Sequence, residues 1–300
     1  MGNKLRWAPD TVLQRTLRQT VMTIKELIAI GEEKLNNAGI HDYANDAREL
    51  LCLATGKDRT GLIMYINSDV ANETAQRYYD LIAERAGRTP LQHITGEQEF
   101  MGYRFKVTKD VLVPRFDTEL LVEEAAKRAI LGAKILDLCT GSGIIGIALK
   151  KMCFGSEVTM TDVSEEALLI AEENARANKA EVRILKSDMF EALDPKEKFT
   201  LIVSNPPYIP AAEIEKLDPE VRDHDPRLAL DGGEDGLDFY RIIAEEAPKF
   251  LASGGQVLLE IGYDQGETVP ALLEAAGFKN IEVLKDLAGN DRVVAAVSGK

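Results

Sequence analysis

The amino-acid sequence predicts a doubly wound α/β domain preceded by a small helical domain, with a β-hairpin linking the two. From residue 134 onward, short β-branched and aliphatic runs alternate with amphipathic segments, as in a mostly parallel sheet covered by helices. Polar or glycine-rich residues follow several of these runs, at the strand ends where such sheets bind ligands. Residues 22 to 90, by contrast, have only helical apolar spacing.

Three helices are predicted in the N-terminal domain. The first begins at a capping box formed by Thr23 and Glu26, which precedes an apolar stripe of helical period. The second begins after Asp42 and ends at Gly56, and the third covers residues 72 to 85. No side chain in this domain suggests chemistry, so we interpret it as a helical core that docks a partner.

The domain boundaries follow from changes in this pattern. Residues 1 to 21 lack periodicity and are interpreted as an extension of uncertain origin. Residues 91 to 113 are predicted to form the hairpin linker, because aromatic and β-branched residues flank Gly102. Within that linker, residues 111 to 113 are expected to form a strand stopped by proline. The α/β domain then covers residues 114 to 300.

Seven strands and five helices are predicted in the α/β domain from runs of apolar residues and from capping signals. The strands are expected at residues 135 to 138, 158 to 161, 182 to 185, 200 to 203, 256 to 261, 281 to 284 and 292 to 297. The helices are expected after Asp117 or Thr118, after Gly146, and at residues 165 to 178, 237 to 250 and 268 to 276.

Composition restricts the class of protein. The 300 residues are 45% hydrophobic and 29% charged, which is typical of a folded globular chain. No apolar run approaches the roughly 18 residues of a spanning helix, and no secretory leader is recognised, so a cytoplasmic protein is predicted. Three cysteines without a Cys-x-x-Cys pair indicate a reducing compartment. Three histidines without metal-ligand spacing predict no metal site.

The net charge argues against a nucleic-acid partner. At pH 7 the formal charge is −14, and the sequence contains no concentrated basic patch. Such a surface would repel a phosphate backbone. No direct nucleic-acid contact and no membrane partner are therefore predicted, and a monomer is expected.

A glycine-rich turn follows the first strand of the α/β domain. Gly141, Gly143 and Gly146 match the spacing of a dinucleotide-binding turn, and Asp162 follows the next strand, where an acid that binds ribose belongs. This pattern alone is weak, because any adenosyl ligand uses the same geometry and a tight turn can serve packing only. It leaves both a nucleotide and an adenosyl ligand open.

Further acids at strand ends favour an adenosyl ligand without a diphosphate. Asp137 precedes the turn, where its charge would oppose a diphosphate and could hold a cationic amine. Asp188 follows the third strand and could accept from an adenine amino group, with Met189 and Phe190 covering the ring. Together these positions favour S-adenosylmethionine over NAD as the cofactor.

The fourth strand ends in Asn205-Pro206-Pro207-Tyr208. The prolines fix φ and remove two backbone donors, so the chain is held extended with free carbonyl groups. The Asn205 side chain adds another acceptor, and Tyr208 adds a flat ring. Acceptors beside an aromatic face suit a planar NH₂ group, either an amide or the exocyclic amine of adenine.

These motifs resemble those of one enzyme family. Residues 137 to 143 resemble the cofactor loop of class I S-adenosylmethionine-dependent methyltransferases, whose Rossmann-like fold is the doubly wound sheet predicted above. Residues 205 to 208 resemble the branch that methylates amino groups. Three further stretches, residues 90 to 97, 113 to 119 and 226 to 233, resemble the PrmC/HemK family of release factor glutamine methyltransferases. The resemblance extends from about Met22 to the C-terminus.

The resemblance implies methyl transfer to N5 of the glutamine in the Gly-Gly-Gln motif of bacterial peptide chain release factors. Its substrate motif corresponds to Asn205, Pro206, Pro207 and Tyr208. Its cofactor contacts correspond to Cys139, Thr140, Gly141, Ser142, Gly143, Asp162, Asp188, Met189 and Asn205. Two residues depart from the family pattern: Cys139 stands where glycine is frequent, and Phe116 replaces a usual proline.

Other classes of function remain open at this point. Methylation of adenine N6 in nucleic acid uses the same four-residue motif but predicts a basic groove. A non-catalytic adenosyl-binding protein predicts damage to Asn205 or Tyr208, and both are intact. An NAD dehydrogenase would need an acid or base suited to hydride transfer. Residues 211 to 235 hold nine carboxylates against three Lys or Arg and are interpreted as a surface loop that also forms a lid or contacts substrate.

Overall fold

The structure, a computed structural model, describes residues 21 to 299. The predicted extension, residues 1 to 21, therefore lies outside the described residues except for Val21. The chain divides into two compact units, one reaching Thr95 and the other beginning at Gly96. None of the helices within residues 21 to 299 combines the length and apolar character needed to cross a bilayer.

The N-terminal unit is a bundle of helices. It comprises α1 (Ile24–Asn37), α2 (Tyr43–Thr55), α3 (Arg59–Met64), α4 (Asn72–Ala86) and α5 (Leu91–Thr95). The three predicted helices are α1, α2 and α4. The short helices α3 and α5 were not predicted, because six and five residues are too few for an apolar period to be recognised.

The start of α1 and the end of α2 follow the predicted signals. At the start of α1, the Thr23 side chain accepts from the N–H of Glu26, and the Glu26 carboxylate accepts from the N–H of Thr23, so the capping box is present. At the end of α2, Gly56 takes a left-handed φ of 68° and its N–H donates to Cys52. Asp42 precedes α2 but its side chain makes no capping hydrogen bond.

The second unit begins with the predicted hairpin. Strands β1 (Glu97–Phe100) and β2 (Tyr103–Lys106) pair antiparallel. The two residues between them, Met101 and Gly102, both have positive φ, of 52° and 76°. A two-residue turn of this kind matches the twist of the strands it joins.

The strand predicted at residues 111 to 113 is wrong, because no regular secondary structure is present there. Val111 and Val113 are buried in a small cluster with Val107, Ala167 and Ile170. Packing against the α/β domain, rather than sheet pairing, thus explains the apolar pattern that suggested a strand.

The remaining elements alternate as predicted, except that β7 begins earlier than expected and the four-residue helix Pro219–Arg222 was not predicted. They are α6 (Thr118–Arg128), β3 (Lys134–Leu138), α7 (Ile144–Met152), β4 (Glu157–Asp162), α8 (Glu165–Ala177), β5 (Arg183–Lys186), β6 (Phe199–Ser204), α9 (Pro219–Arg222), α10 (Asp238–Phe250), β7 (Leu251–Glu260), α11 (Thr268–Ala275), β8 (Lys279–Lys285) and β9 (Asp291–Val297).

Strands β3 to β9 form one sheet in the order β5-β4-β3-β6-β7-β9-β8. The pairs from β5 to β7 are parallel, and β9 runs antiparallel to both of its neighbours. The chain moves outward from β3 to β5 and then returns to place β6 on the other side of β3. The crevice beyond the carboxyl ends of β3 and β6 is therefore the expected ligand site.

Apolar residues cover both faces of this sheet. Alternate residues of β3 point to opposite sides, so Ile135 belongs to one core cluster and Leu136 and Leu138 to the other. The first cluster packs α6, α7 and α8, and the second packs α10 and α11. Two buried faces give the rigid support that a site at the strand ends requires.

Candidate active site at the carboxyl edge of the sheet

The register of the parallel strands aligns a row of side chains at one edge of the sheet. Leu138 at the end of β3 pairs with Ser204 of β6 and with Thr161 of β4. The next residue of each strand, Cys139, Asn205 and Asp162 respectively, therefore lies at the same edge. A side-chain hydrogen bond also joins β6 to β3 at this edge, because Ser204 Oγ donates to the Leu138 carbonyl at 2.8 Å.

The turn after β3 is braced from below by Asp137. This side chain is fully buried, and its Oδ2 accepts from Thr140 Oγ1 at 2.5 Å and from the N–H of Gly146 at 2.9 Å. Burial raises the pKa of Asp137 to about 7. Oδ2 of Asp137 thus supports the turn, whereas its buried Oδ1 has no hydrogen-bond partner within residues 21 to 299. That Asp137 holds a cationic amine therefore stays a prediction.

The glycines of the turn have different roles. Gly141 has a φ of 54°, and a Cβ added there would meet no atom within 4 Å, so a ligand could approach its backbone. A Cβ on Gly143 would lie 3.0 Å from side-chain atoms of both Ile147 and Met160. Gly143 therefore permits close packing of α7, and Gly141 is the position open to a ligand.

Asp162 at the end of β4 is tied to that turn. Its Oδ2 accepts from the N–H of Gly141 at 2.9 Å, and its Oδ1 accepts from the N–H of Ser164 at 3.0 Å. Burial raises the pKa of Asp162, and the backbone hydrogen bonds oppose that rise. Each carboxylate oxygen keeps a second lone pair, so Asp162 can still accept from a ligand hydroxyl.

After β5, the chain turns sharply around Ser187. Ser187 Oγ donates to the Met189 carbonyl at 2.8 Å and accepts from the N–H of Ala192 at 3.0 Å. This arrangement exposes Asp188 and buries Met189, whose sulfur lies 3.7 Å from Cys139 Sγ. Burial is the main cause that raises the pKa of the Cys139 thiol, so the thiol stays neutral.

The four-residue motif after β6 is held from two sides. Asn205 Nδ2 donates to Thr118 Oγ1 at 3.4 Å. The Tyr208 carbonyl accepts from Gln265 Nε2 at 3.2 Å, and the same nitrogen donates to the Gly236 carbonyl. Pro206 and Pro207 are buried, and the Tyr208 side chain packs against the second core cluster.

One cleft brings most of the predicted residues together. It spans about 990 Å³ when the open solvent at its mouth is included. Nine of the predicted site residues line it: Cys139, Thr140, Gly141, Ser142, Asp162, Asp188, Met189, Asn205 and Pro207. Gly143, Pro206 and Tyr208 lie outside this lining.

Two further segments complete the walls, and one of them belongs to residues 211 to 235, the loop that the sequence predicts to contact substrate. One wall is formed by Asp110, Val111, Leu112, Pro114 and Arg115, and another by Pro226, Leu228 and Ala229. An ion pair between Arg115 and Asp225, at 2.8 Å, connects the two segments. The Asp225 side chain is fully buried, and its other oxygen accepts from the N–H of Val113 at 3.4 Å.

Sequence reasoning also missed Glu260, the last residue of β7. It is only 1% exposed, and burial raises its pKa to about 7. A glutamate inside the apolar run Leu258-Leu259-Glu260-Ile261 was a recognisable signal, since carboxylates are rarely buried without a partner.

No group of three or more potential metal ligands was found among residues 21 to 299.

Two family models match the chain. The model described as "PrmC N-terminal domain" matches residues 26 to 96, and the "Methyltransferase small domain" model matches residues 115 to 217. The second match includes the glycine turn, Asp162 and the Asn-Pro-Pro-Tyr motif.

Solved structures of methyltransferases share the fold. The crystal structure of a methyltransferase from Pyrococcus furiosus has a TM-score of 0.52 and 20% identity, and the match covers 77% of this chain and 100% of that one. A 16S rRNA N2 G1207 methyltransferase of T. thermophilus, solved with AdoMet and guanosine, has a TM-score of 0.50 and 23% identity. That match covers 67% of this chain and 49% of the other. The predicted class I methyltransferase fold is confirmed.

Relatives of higher identity match nearly the whole chain. The release factor glutamine methyltransferase of Geobacter sulfurreducens is 42% identical over 284 residues, covering 95% of this chain and all of that protein. The protein of the same name from Cereibacter sphaeroides is 45% identical over 267 residues, covering 88% of this chain and 94% of the relative. The chain therefore belongs to the family of release factor glutamine methyltransferases.

Proposed function

We propose that this enzyme transfers a methyl group from S-adenosylmethionine to the side-chain amide nitrogen, N5, of the glutamine in the Gly-Gly-Gln motif of bacterial peptide chain release factors. The observation that carries the proposal is the position of Asn205. It follows β6 directly, lines the cleft, and lies at the same sheet edge as Cys139 and Asp162. An acceptor for an amide thus adjoins a pocket suited to an adenosyl cofactor.

The cleft fits the cofactor. The backbone at Gly141 is open to a ligand, and Asp162 beside it retains lone pairs for ribose hydroxyls. Asp188 is exposed at the cleft and can accept from an adenine amino group, while Met189 supplies an apolar surface. S-adenosylmethionine bound there would supply an electrophilic methyl group on its sulfonium sulfur.

The amide needs orientation more than it needs a base. Its nitrogen is a weak nucleophile because the lone pair is delocalised into the carbonyl. We expect Asn205 Oδ1 and the Pro206 carbonyl to accept hydrogen bonds from the two N–H groups of the substrate amide. Tyr208 covers the plane of that amide. Holding the nitrogen in line with the methyl group can contribute several kcal/mol, on the order of the effects seen for positioned reactants.

Charge and domain organisation support a protein substrate. The formal net charge of −14 disfavours a nucleic-acid backbone. The helical domain, predicted at residues 22 to 90, would dock the release factor outside its Gly-Gly-Gln loop. We expect the enzyme to act as a monomer in the cytoplasm, where release factors act during translation termination.

The test is mass spectrometry of a bacterial release factor after incubation with the enzyme and S-adenosylmethionine. One added methyl group on the Gly-Gly-Gln glutamine is expected with the wild type and not with Asn205→Ala. As a matched control, Asn178→Ala removes an asparagine whose side chain bonds to the Arg104 and Asn174 carbonyls and does not line the cleft, so this variant should retain transfer.

The alternatives give different results in the same assay. A methylated adenine in added DNA or RNA, with unmodified release factor, would contradict the proposed substrate. Equal transfer by the wild type and Asn205→Ala would contradict the assigned acceptor while leaving the substrate in place.

A further inference from the structure

The row of side chains at the carboxyl edge of the sheet continues one strand beyond Asn205. Ser204 of β6 pairs in parallel with Leu259 of β7. The next residues, Asn205 and Glu260, therefore lie on neighbouring strands at the same edge. Glu260 is 1% exposed, and it does not line the cofactor cleft.

Glu260 and Asn205 share a third residue. Thr118, at the first position of α6, is also 1% exposed, and its Oγ1 accepts from Asn205 Nδ2 at 3.4 Å. The Glu260 carboxylate lies beside the side chains of Thr118 and Asn205, and both of them lower its pKa. Within residues 21 to 299, Oε2 of Glu260 has no hydrogen-bond partner.

The chemistry of these groups determines which way the amide of Asn205 points. An ionised carboxylate can only accept, so a Thr118 hydroxyl that accepts from Asn205 keeps its own proton available for Glu260. The amide nitrogen of Asn205 thus faces Thr118 and Glu260, and its Oδ1 remains for the substrate. The flipped amide would place Oδ1 against two acceptors and leave its NH₂ group facing the N–H bonds of the substrate.

We propose that Glu260 is a positioning residue, which acts with Thr118 to hold the Asn205 amide with Oδ1 directed at the substrate nitrogen. This inference rests on the proposed function, because it concerns the acceptor used there. It also explains why a buried carboxylate is placed next to a neutral side chain, although burial of a charge is costly.

Several charged or titratable groups face Glu260 from the elements around it. Arg292 of β9 favours the ionised form, and Asp117, which precedes α6, disfavours it. Tyr208 and Tyr240 also face it, and the Tyr240 hydroxyl donates to the backbone carbonyl of Glu260 at 2.7 Å. With a pKa of about 7, Glu260 gains a proton under mildly acidic conditions and can then donate to Thr118. The orientation of Asn205 is therefore expected to be lost as pH falls through that value.

The effect of Glu260 on the Asn205 side-chain amide can be tested without a release factor. Proton–nitrogen correlation NMR of the enzyme saturated with S-adenosylmethionine would follow the Asn205 side-chain NH₂ signals, assigned by their absence in Asn205→Ala. These signals should shift with pH around about 7 in the wild type and in the exposed control Glu245→Gln. In Glu260→Gln the shift should be absent. A pH-dependent shift that persists in Glu260→Gln would overturn the proposal.

The effect of Glu260 and Thr118 on kcat is measured by steady-state methylation of a release factor. Glu260→Gln and Thr118→Val should each lower kcat at least about tenfold, which corresponds to about 1.4 kcal/mol. Thr118→Ser, which keeps the hydroxyl, should stay within about threefold of the wild type, or about 0.7 kcal/mol. The kcat of the wild type should rise with pH through about 7, and that of Glu260→Gln should not. A purely structural role would change the melting temperature of the variants and leave the pH profile of kcat intact.

Together, the NMR and kinetic measurements distinguish a wrong substrate from a wrong positioning role for Glu260. If the NMR shift depends on Glu260 and the wild type methylates no release factor, the proposed substrate is wrong and the hydrogen-bonded network stands. If the wild type is active and Glu260→Gln retains its kcat and pH profile, the positioning role is wrong and the proposed function stands.

Discussion

The backbone N–H of Gly141 donates to Oδ2 of Asp162 at 2.9 Å, which joins the turn after β3 to the acid after β4. One carboxylate thereby fixes the open glycine and lies where the cofactor ribose is expected. We predict that Asp162→Ala raises the dissociation constant for S-adenosylmethionine at least about tenfold, or about 1.4 kcal/mol. Isothermal titration calorimetry checks this.

The matched control is Asp194→Ala, since Asp194 is exposed in a surface turn and does not line the cleft. Its affinity should equal that of the wild type. An Asp162→Ala enzyme that binds the cofactor with unchanged affinity would show that this carboxylate takes no part in the site.

Much of this site could be predicted because its signals are local. Asp162, Asp188 and Asn205 each follow an apolar run, and parallel strands bring such positions to one edge. The glycine turn was recognisable from its spacing. The separate role of Gly143 was not, since it depends on how closely the Met160 side chain packs against α7.

The parts that were missed depend on contacts distant in sequence. Residues 111 to 113 have the composition of a strand, and only the packing of α8 against them decides otherwise. The pairing of Arg115 with Asp225 joins residues 110 positions apart. Glu260 acquires its neighbours only when β7 is set beside β6. No periodicity in the sequence encodes such relations.

The ion pair between Arg115 and Asp225 should stabilise the fold and the wall of the cleft. Arg115→Met leaves a fully buried carboxylate without its cation. Because the Arg115 side chain is itself 44% exposed, we expect a loss of about 1 to 2 kcal/mol in the free energy of unfolding, less than for a completely buried pair. Urea unfolding measures this loss.

A double-mutant cycle with Asp225→Asn isolates the pair. The two changes together should cost less than the sum of the single changes, because no unpaired charge remains buried. Strictly additive losses would indicate that the two side chains do not stabilise each other. Arg176→Met serves as the control, since its ion pair with Glu172 is exposed.

Asp137 should make stability depend on pH. Burial raises its pKa to about 7 in the folded chain, whereas an unfolded aspartate titrates near about 4. Between these values the folded state binds the extra proton, so this contribution to stability is present below about pH 4 and is lost as pH rises through about 7. We predict that Asp137→Asn removes a slope of at most about 1.4 kcal/mol per pH unit.

The measurement is urea unfolding of both proteins across that range, with the difference in the free energy of unfolding plotted against pH. The variant should gain stability relative to the wild type as pH rises. Asp194→Asn, at an exposed position, should give a flat difference. A flat difference for Asp137→Asn as well would mean that Asp137 is ionised throughout.

Cys139 should tolerate glycine better than alanine. Its φ of 55° is left-handed, which costs a side-chain-bearing residue about 1 to 2 kcal/mol, and glycine avoids that cost. Alanine keeps the strain and loses the sulfur contact with Met189. We therefore expect Cys139→Gly to melt at a temperature equal to or above that of Cys139→Ala in differential scanning calorimetry.

At Cys52, inside α2, the order of the two melting temperatures should reverse, because glycine destabilises a helix interior by about 1 kcal/mol relative to alanine. If Cys139→Gly melted below Cys139→Ala, as expected for the same pair at Cys52, backbone strain at Cys139 would have no influence on stability.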